Sequence, residues 1–312
     1  MMECGTITEV KVPQLYLYYT RRISMDDLKL VNNKDATFVP YRIKDLTIGK
    51  DFLKIGGPCS VESREQIIRI AKAVKMSGGN IIRGGTFKPR TSPYSFQGLG
   101  KEGLKYLHEA GELTGLPVVT EVIDVRDIES VMEYVDIIQV GARNSQCYPL
   151  LKELGKIDFP IILKNGLGTS LYEWLGSAEY ILSEGNNKVI LCERGVKTSE
   201  SFTRNTLDLS IVAAIKNISC LPVIVDPSHG TGKRELIEPM CLSGIMAGCD
   251  GFMVEVHDFP QEAMSDGEQA LIPADFKCIV DKANITKRVY ALLNSTSSIS
   301  EIEGISRWYM AS

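Results

Sequence analysis

The sequence predicts an α/β architecture: a single (β/α)8 (TIM) barrel with a short N-terminal β-rich extension. Three observations predict it. From about Phe52 onward, eight short apolar runs alternate with segments of helical character. Several of these runs are almost continuously apolar, as parallel strands covered on both faces must be. The rival, an open doubly wound sheet, is expected to carry a GxGxxG turn directly after an early strand, and none of the eight runs leads directly into one; Gly98–Gly103 has the spacing but stands apart from the second run.

In chain order the strand runs are 52–59, 80–87, 117–123, 136–142, 160–166, 188–195, 221–228 and 251–257. Between them, Ser63 with Gln66 and Ser170 with Glu173 have the spacing of capping boxes that open helices. Gly78, Gly111, Gly185 and Gly248 fall where helices are expected to stop. The expected organisation is an N-terminal extension at 1–48, a catalytic barrel at 49–295 and a C-terminal tail at 296–312. The extension holds two β-leaning stretches, 9–19 and 36–48, able to form a hairpin that plugs the barrel bottom or a small interaction arm. The tail is rich in serine and is expected to fray.

Composition narrows the function classes. A net charge of −4 gives no global basic footprint for nucleic acid. No apolar run approaches the roughly 18–20 residues that span a bilayer, and the first residues, with Glu3, contain no apolar core of a secretory signal. The eight cysteines sit singly with no CxxC pair, which suggests a reducing compartment; the expected location is cytoplasmic. Most of them read as small core residues.

Barrel enzymes draw their active residues from the C-terminal ends of the strands and the loops that follow. Two groups stand there. Cys59 ends the first run, His229 follows the seventh, Glu255 lies near the end of the eighth, and Asp266 is in the loop after it. Closure of a barrel makes the seventh, eighth and first strands neighbours, so these side chains converge. A thiolate, an imidazole and two carboxylates suit Mn, Fe, Co or Zn better than Mg or Ca. Taken singly, Cys59 reads as a buried small hydrophobe and His229 as a loop cap. Glu255 is harder to dismiss, because a carboxylate inside an apolar strand is costly unless paired or coordinated. His257, on the same face as Glu255, is a competing ligand.

The second group is cationic: Arg83, Lys88, Arg90, Arg143, Lys164 and Arg194. An acidic chain that gathers cations at one barrel mouth is built to hold phosphate or carboxylate groups. The alternative is internal salt bridging, for example Arg194 to Glu193 or Arg83 to Glu121. Glycines 84, 85, 141, 230 and 232 allow backbone N–H groups to approach an anion. The run Gly230-Thr231-Gly232-Lys233 lacks the spacing of a P-loop.

GPCSVES, IIRGGTFKPRTSPYSFQGLG, TEVID, QVGARN, ILCERG, DPSHGTG and MVEVH with SDG together resemble the type I 3-deoxy-D-arabino-heptulosonate 7-phosphate (DAHP) synthases, over roughly residues 52–285. The similarity is to the shorter, beta subgroup, which is related to the 3-deoxy-octulosonate 8-phosphate synthases. The resemblance implies metal-dependent condensation of phosphoenolpyruvate with erythrose 4-phosphate and water, giving DAHP and phosphate, the first step of the shikimate pathway. It implies Cys59, His229, Glu255 and Asp266 as metal ligands. It places Arg83, Lys88, Gly141, Ala142, Arg143, Lys164 and Arg194 around phosphoenolpyruvate, and Arg90 and Thr91 at the acceptor phosphate. Octulosonate synthases have an Asn-Arg-Ser-type motif at that place, so KPRTSP implies the four-carbon acceptor. Glu121 and Lys88 are expected to position water or relay its protons. Relatives imply a homo-oligomer, a tetramer or dimer.

The sequence departs from that pattern at Gly230, where Ala is usual, and at KNGLGTS, where relatives have a Met-rich loop. The extension is short for a ferredoxin-like regulatory domain, and no chorismate-mutase-like helical domain is visible, so feedback inhibition by aromatic amino acids is not expected. Two alternatives stand beside the leading one. One is a synthase of the same superfamily with another phosphorylated aldose, such as arabinose 5-phosphate. The other is a barrel that senses phosphoenolpyruvate without turnover, which would have no need of a metal quartet.

Overall fold

The computed structural model describes residues 27–32, 37–89 and 92–295; the stretch at 9–19 and the tail at 296–312 lie outside that set. β1 (Tyr41–Ile43) and β2 (Leu46–Ile48) pair antiparallel in a hairpin. The strands β3 (Leu53–Gly57), β4 (Ile81–Arg83), β5 (Val118–Val122), β6 (Ile137–Val140), β7 (Ile161–Lys164), β8 (Val189–Glu193), β9 (Val223–Val225) and β10 (Gly251–Glu255) are parallel. They close into a barrel, with β10 bonded to both β9 and β3. This is the predicted (β/α)8 barrel.

Each apolar run contains one barrel strand, and each runs past the strand's last residue. Cys59, expected at the end of the first strand, stands two residues beyond β3, after Pro58, which has no N–H to give the ladder. The loop bases are themselves buried under the barrel mouth, so apolar character outlasts the ladder.

Side chains alternate along a strand, so residues two apart share a face. Ile55, Ile81, Val119, Ile137, Ile162, Cys192, Ile224 and Met253 form one inward apolar layer, closed from below by Ile43, Leu46 and Ile48 of the hairpin. The hairpin therefore plugs the barrel bottom and is formed within the second β-leaning stretch, the first lying outside the described residues. Two residues further up the same inward face come Arg83, Glu121, Gln139, Lys164, Arg194, Asp226 and Glu255. The barrel thus changes from an oily floor to a charged mouth within one side-chain layer.

Outside the strands, helices Arg64–Met76, Lys101–Thr114, Tyr148–Gly155, Leu171–Ser183, Leu209–Ile218, Arg234–Met246 and Pro273–Ser295 cover the sheet. Trp174, Phe252 and Phe276 are fully buried between the layers. Ser170 and Glu173 form the full reciprocal capping box. Ser63 accepts from Gln66 N–H, but the Gln66 side chain turns to Glu62 N–H and Ser60 C=O, so only half of the first box exists.

Gly78, Gly185 and Gly248 follow helix ends with positive φ, as expected. Gly111 does not: its helix continues to Thr114 and stops at Gly115, in the left-handed region at φ 69°. The reason for glycine at 111 is packing, since a Cβ there would lie 2.4 Å from Val118 Cγ1 on the neighbouring strand. The seven described cysteines are all free, and Cys278 is exposed rather than a core residue. Among the described residues, no helix is long and apolar enough to cross a membrane.

Candidate metal centre and anion cavity

β10 delivers Glu255 to the inner face of the mouth, fully buried. Asp226, just after β9, caps a short helix, Pro227–Thr231, that carries His229. Asp266 sits in the loop after β10, and Cys59 in the loop after β3. One donor atom from each of Cys59, His229, Glu255 and Asp266 lies within 4.8 Å of all the others. His257 does not join them; its ring contacts Gln66, Glu62 and Asp258 instead.

The donors are held with one atom each turned inward. His229 Nδ1 stands 2.8 Å from Asp226 Oδ2, which assigns the proton to Nδ1 and leaves Nε2 with its lone pair. Glu255 Oε2 accepts from Gln269 Nε2 at 2.6 Å. Its Oε1 is buried without a hydrogen bond, 3.2 Å from His229 Nε2 and 3.5 Å from Arg83 Nη1. Cys59 Sγ is 3.2 Å from Asp266 Oδ2 and 3.0 Å from Lys88 Nζ.

An orphaned carboxylate oxygen in such a place is expensive unless something binds it. Bonds of about 2.0–2.3 Å to a tetrahedral divalent ion separate its ligands by roughly 3.3–3.8 Å, close to the 3.2 Å spacings of these pairs. The sulfur, nitrogen and oxygen donors therefore fit a first-row divalent metal.

The electrostatics agree with that fit. Burial pushes the Cys59 thiol up to about 12, with Glu255 adding to it and Lys88 opposing. Burial draws His229 below its ordinary value despite Asp226 and Glu255, so the imidazole is neutral at pH 7. Burial works against ionisation of Asp266, yet His229 and Arg204 hold it down to about 2. Asp226 is likewise buried and is held well below the usual carboxylate range by His229 and Lys164.

Beside this quartet opens a cavity of about 400 Å³. Seven cationic side chains line it against two carboxylates, Glu121 and Asp266, in a chain whose net charge is −4. All the predicted cations within the described residues are there: Arg83, Lys88, Arg143, Lys164 and Arg194, with Gly141 and Ala142 in the wall. Arg90 and Thr91 lie outside the described residues, directly after Pro89, which lines the cavity.

The ion pairs differ from those weighed on sequence grounds. Arg83 faces Glu255, not Glu121, and Lys164 bonds Asp226 at 2.5 Å. Among the described residues, no carboxylate forms an ion pair with Arg143 or Arg194. Burial lowers the Arg194 guanidinium from its ordinary value, an unfavourable state that a bound anion would relieve. A Cβ at Gly141 would lie 2.0 Å from Glu121 Oε1, so any side chain there would push the Glu121 carboxylate out of its present position.

Sequence reasoning missed Asp226, Gln139, Gln269, Lys197 and Arg204. Asp226 and Gln139 carried the same signal as Glu255, a polar side chain inside an apolar run. Lys197, Arg204 and Gln269 lie in polar loops where nothing in the local pattern distinguishes them.

Comparison with known proteins gives a consistent result. The model of the DAHP synthetase I family matches residues 30–288. A phospho-2-dehydro-3-deoxyheptonate aldolase of Thermotoga maritima is 49% identical over 239 residues, 76% of this chain and 71% of that protein. A crystal structure of the Thermotoga maritima phospho-2-dehydro-3-deoxyheptonate aldolase (DAHP synthase) superposes with a TM-score of 0.80 at 46% identity, covering 85% of this chain and 78% of that one. A 2-dehydro-3-deoxyphosphooctonate aldolase of Desulfotalea psychrophila is 31% identical over 72% of this chain and 85% of its own length.

Proposed function

This chain belongs to the DAHP synthetase I family, and from that premise we propose that it condenses phosphoenolpyruvate with erythrose 4-phosphate and water to give DAHP and phosphate. The observation that carries the reading is the adjacency of two sites: a four-donor metal quartet opens onto one cavity lined by seven cations.

Arg143, Lys164 and Arg194, with Arg83 and Lys88, hold the phosphate and carboxylate of phosphoenolpyruvate and turn its C3 toward the acceptor, a proximity effect. Arg90 and Thr91 hold the acceptor phosphate. A divalent metal (Mn, Fe, Co or Zn) at Cys59, His229, Glu255 and Asp266 supplies Lewis-acid chemistry toward the aldehyde oxygen or an attacking water. Lys88 gives a proton to the aldehyde oxygen as the C3–C1 bond forms. Glu121 takes one from the water that adds at C2. Loss of phosphate by C–O cleavage, with release of the C2 hydroxyl proton, leaves the product ketone.

The barrel at 49–295 is the catalytic unit in this reading, and the enzyme works in the cytoplasm as a homo-oligomer, tetramer or dimer. The acceptor is the part that needs a direct test, because the chain is also similar to a 2-dehydro-3-deoxyphosphooctonate aldolase. Steady-state assays offering erythrose 4-phosphate and arabinose 5-phosphate side by side, with and without added Mn, provide it. The expected result is a clear preference for the four-carbon sugar. Comparable turnover of both, or preference for the pentose, contradicts the assignment.

A further inference from the structure

Resting on the metal reading above, we propose that Arg204 and Gln269 form a brace that positions two of the ligating carboxylates, Asp266 and Glu255, and so sets the affinity of the centre for its ion. Neither residue is among the groups that the sequence or the family resemblance points to.

The geometry is a short chain of contacts. Arg204 Nη1 lies 3.4 Å from Asp266 Oδ1 and donates to Gln269 Oε1 at 3.1 Å. Gln269 Nε2 donates in turn to Glu255 Oε2 at 2.6 Å. The orientation of the Gln269 amide follows from its neighbours, since a guanidinium can only donate and a carboxylate only accept. Arg204 thus steadies Asp266 directly and Glu255 through Gln269, at the oxygens Oδ1 and Oε2 rather than at Asp266 Oδ2 and Glu255 Oε1, which face Cys59 and His229.

The anchor of the brace is fixed as well. Arg204 N–H donates to Thr231 C=O at 2.8 Å, Asn205 N–H to Gly230 C=O at 3.0 Å, and Asn205 Nδ2 to His229 C=O at 2.9 Å. The segment after β8 is therefore stitched to the short helix that carries His229, and through Arg204 to Asp266 and Glu255. Three of the four donors share this support.

Its effect on the centre follows from what each contact does. Gln269 is buried and occupies Glu255 Oε2, which leaves Oε1 as the oxygen available to an ion. Without that amide the carboxylate could rotate about its last torsion, and Oε2 would be a second buried acceptor lacking a donor. The Arg204 cation offsets charge at Asp266, which keeps two acidic ligands and a thiol side by side. Outer contacts of this kind typically change metal affinity about tenfold to a hundredfold when removed.

The test is isothermal titration of Mn into the metal-free full chain and four variants: Arg204→Gln, Arg204→Lys, Gln269→Leu and the double Arg204→Gln/Gln269→Leu. Thermal melts of the same metal-free proteins run alongside. Each single change is expected to weaken Mn binding about tenfold to a hundredfold, with Arg204→Lys retaining more affinity than Arg204→Gln. The double should lose clearly less than the product of the two single losses, because both act through one chain of contacts. Arg204 is partly exposed, so the metal-free melts of its variants should match the parent.

Affinities within twofold of the parent would overturn the brace. So would losses that multiply in the double, or a loss of binding that simply follows a fall in the melting temperature. A parent chain that binds no Mn would instead remove the metal reading itself, and the brace with it.

Discussion

The Asp226 carboxylate meets His229 Nδ1 at 2.8 Å and Lys164 Nζ at 2.5 Å through the same oxygen, Oδ2. One buried group therefore orients a candidate metal donor and balances a cation of the adjacent cavity. The two halves of the site are joined there.

That junction makes Asp226→Asn informative. An amide can donate to Nδ1 and reverse the imidazole tautomer, which removes the lone pair from Nε2. Mn affinity is expected to fall about tenfold to a hundredfold, measured by titration of the metal-free protein. The acid stability should change too. The folded carboxyl is held well below its unfolded value of 3.8, so its contribution is present above that value and is lost as pH falls through the folded one. Asp226→Asn should therefore flatten the acid unfolding curve of the metal-free protein below about pH 4. An unchanged curve would show that the carboxylate gains nothing from its partners.

Metal binding should depend on pH through Cys59. Its thiol, near 12 in the metal-free protein, is protonated at neutrality, so binding to the thiolate must release one proton. His229 is already neutral above its lowered value and releases none. The apparent Mn affinity is then expected to rise about tenfold per pH unit between roughly pH 7 and 9. Calorimetry in buffers of different ionisation enthalpy counts the proton directly. A flat profile would remove Cys59 from the ligand set.

The two buried cations should respond differently to truncation. Lys164→Met leaves the buried Asp226 with one partner fewer and should cost about 3–5 kcal/mol in stability. Arg194 has no carboxylate partner among the described residues, so Arg194→Met should leave stability near the parent value. Its effect belongs in the KM for phosphoenolpyruvate, expected to rise at least about tenfold, the size of one lost charge-assisted contact of about 1.5–3 kcal/mol. Urea unfolding and steady-state kinetics on both variants separate the cases.

Gly111→Ala tests a packing reading rather than a chemical one. Alanine improves helix propensity by about 1 kcal/mol, but the new Cβ would press on Val118 Cγ1 at 2.4 Å. Overpacking typically costs about 1–3 kcal/mol, so a net loss near 1 kcal/mol is expected in urea. A stabilised variant would mean that the helix can shift away from β5.

The barrel was legible because its strands are near-continuous apolar runs and its helices carry glycine stops. Much of the site was legible for a related reason: Glu255, Lys164 and Arg194 are charges inside such runs, where casual exposure is impossible. Period two would have extended the list, since Asp226 and Gln139 lie two residues past inward apolar positions in the same way. What the sequence hid is of another kind. Arg204 and Gln269 stand in polar loops and matter only through partners 62 and 14 residues away. Gly111 misled because a glycine kept for close packing looks, in sequence, like a glycine that ends a helix.

The most direct test of the whole account is phosphate release from phosphoenolpyruvate plus erythrose 4-phosphate by chain stripped with a chelator and then titrated with Mn. Stripped chain should show no turnover, Mn should restore it with saturation at one ion per chain, and Cys59→Ser should show neither binding nor recovery. Full turnover after complete chelation, or a Cys59→Ser variant that binds Mn and turns over like the parent, would contradict it.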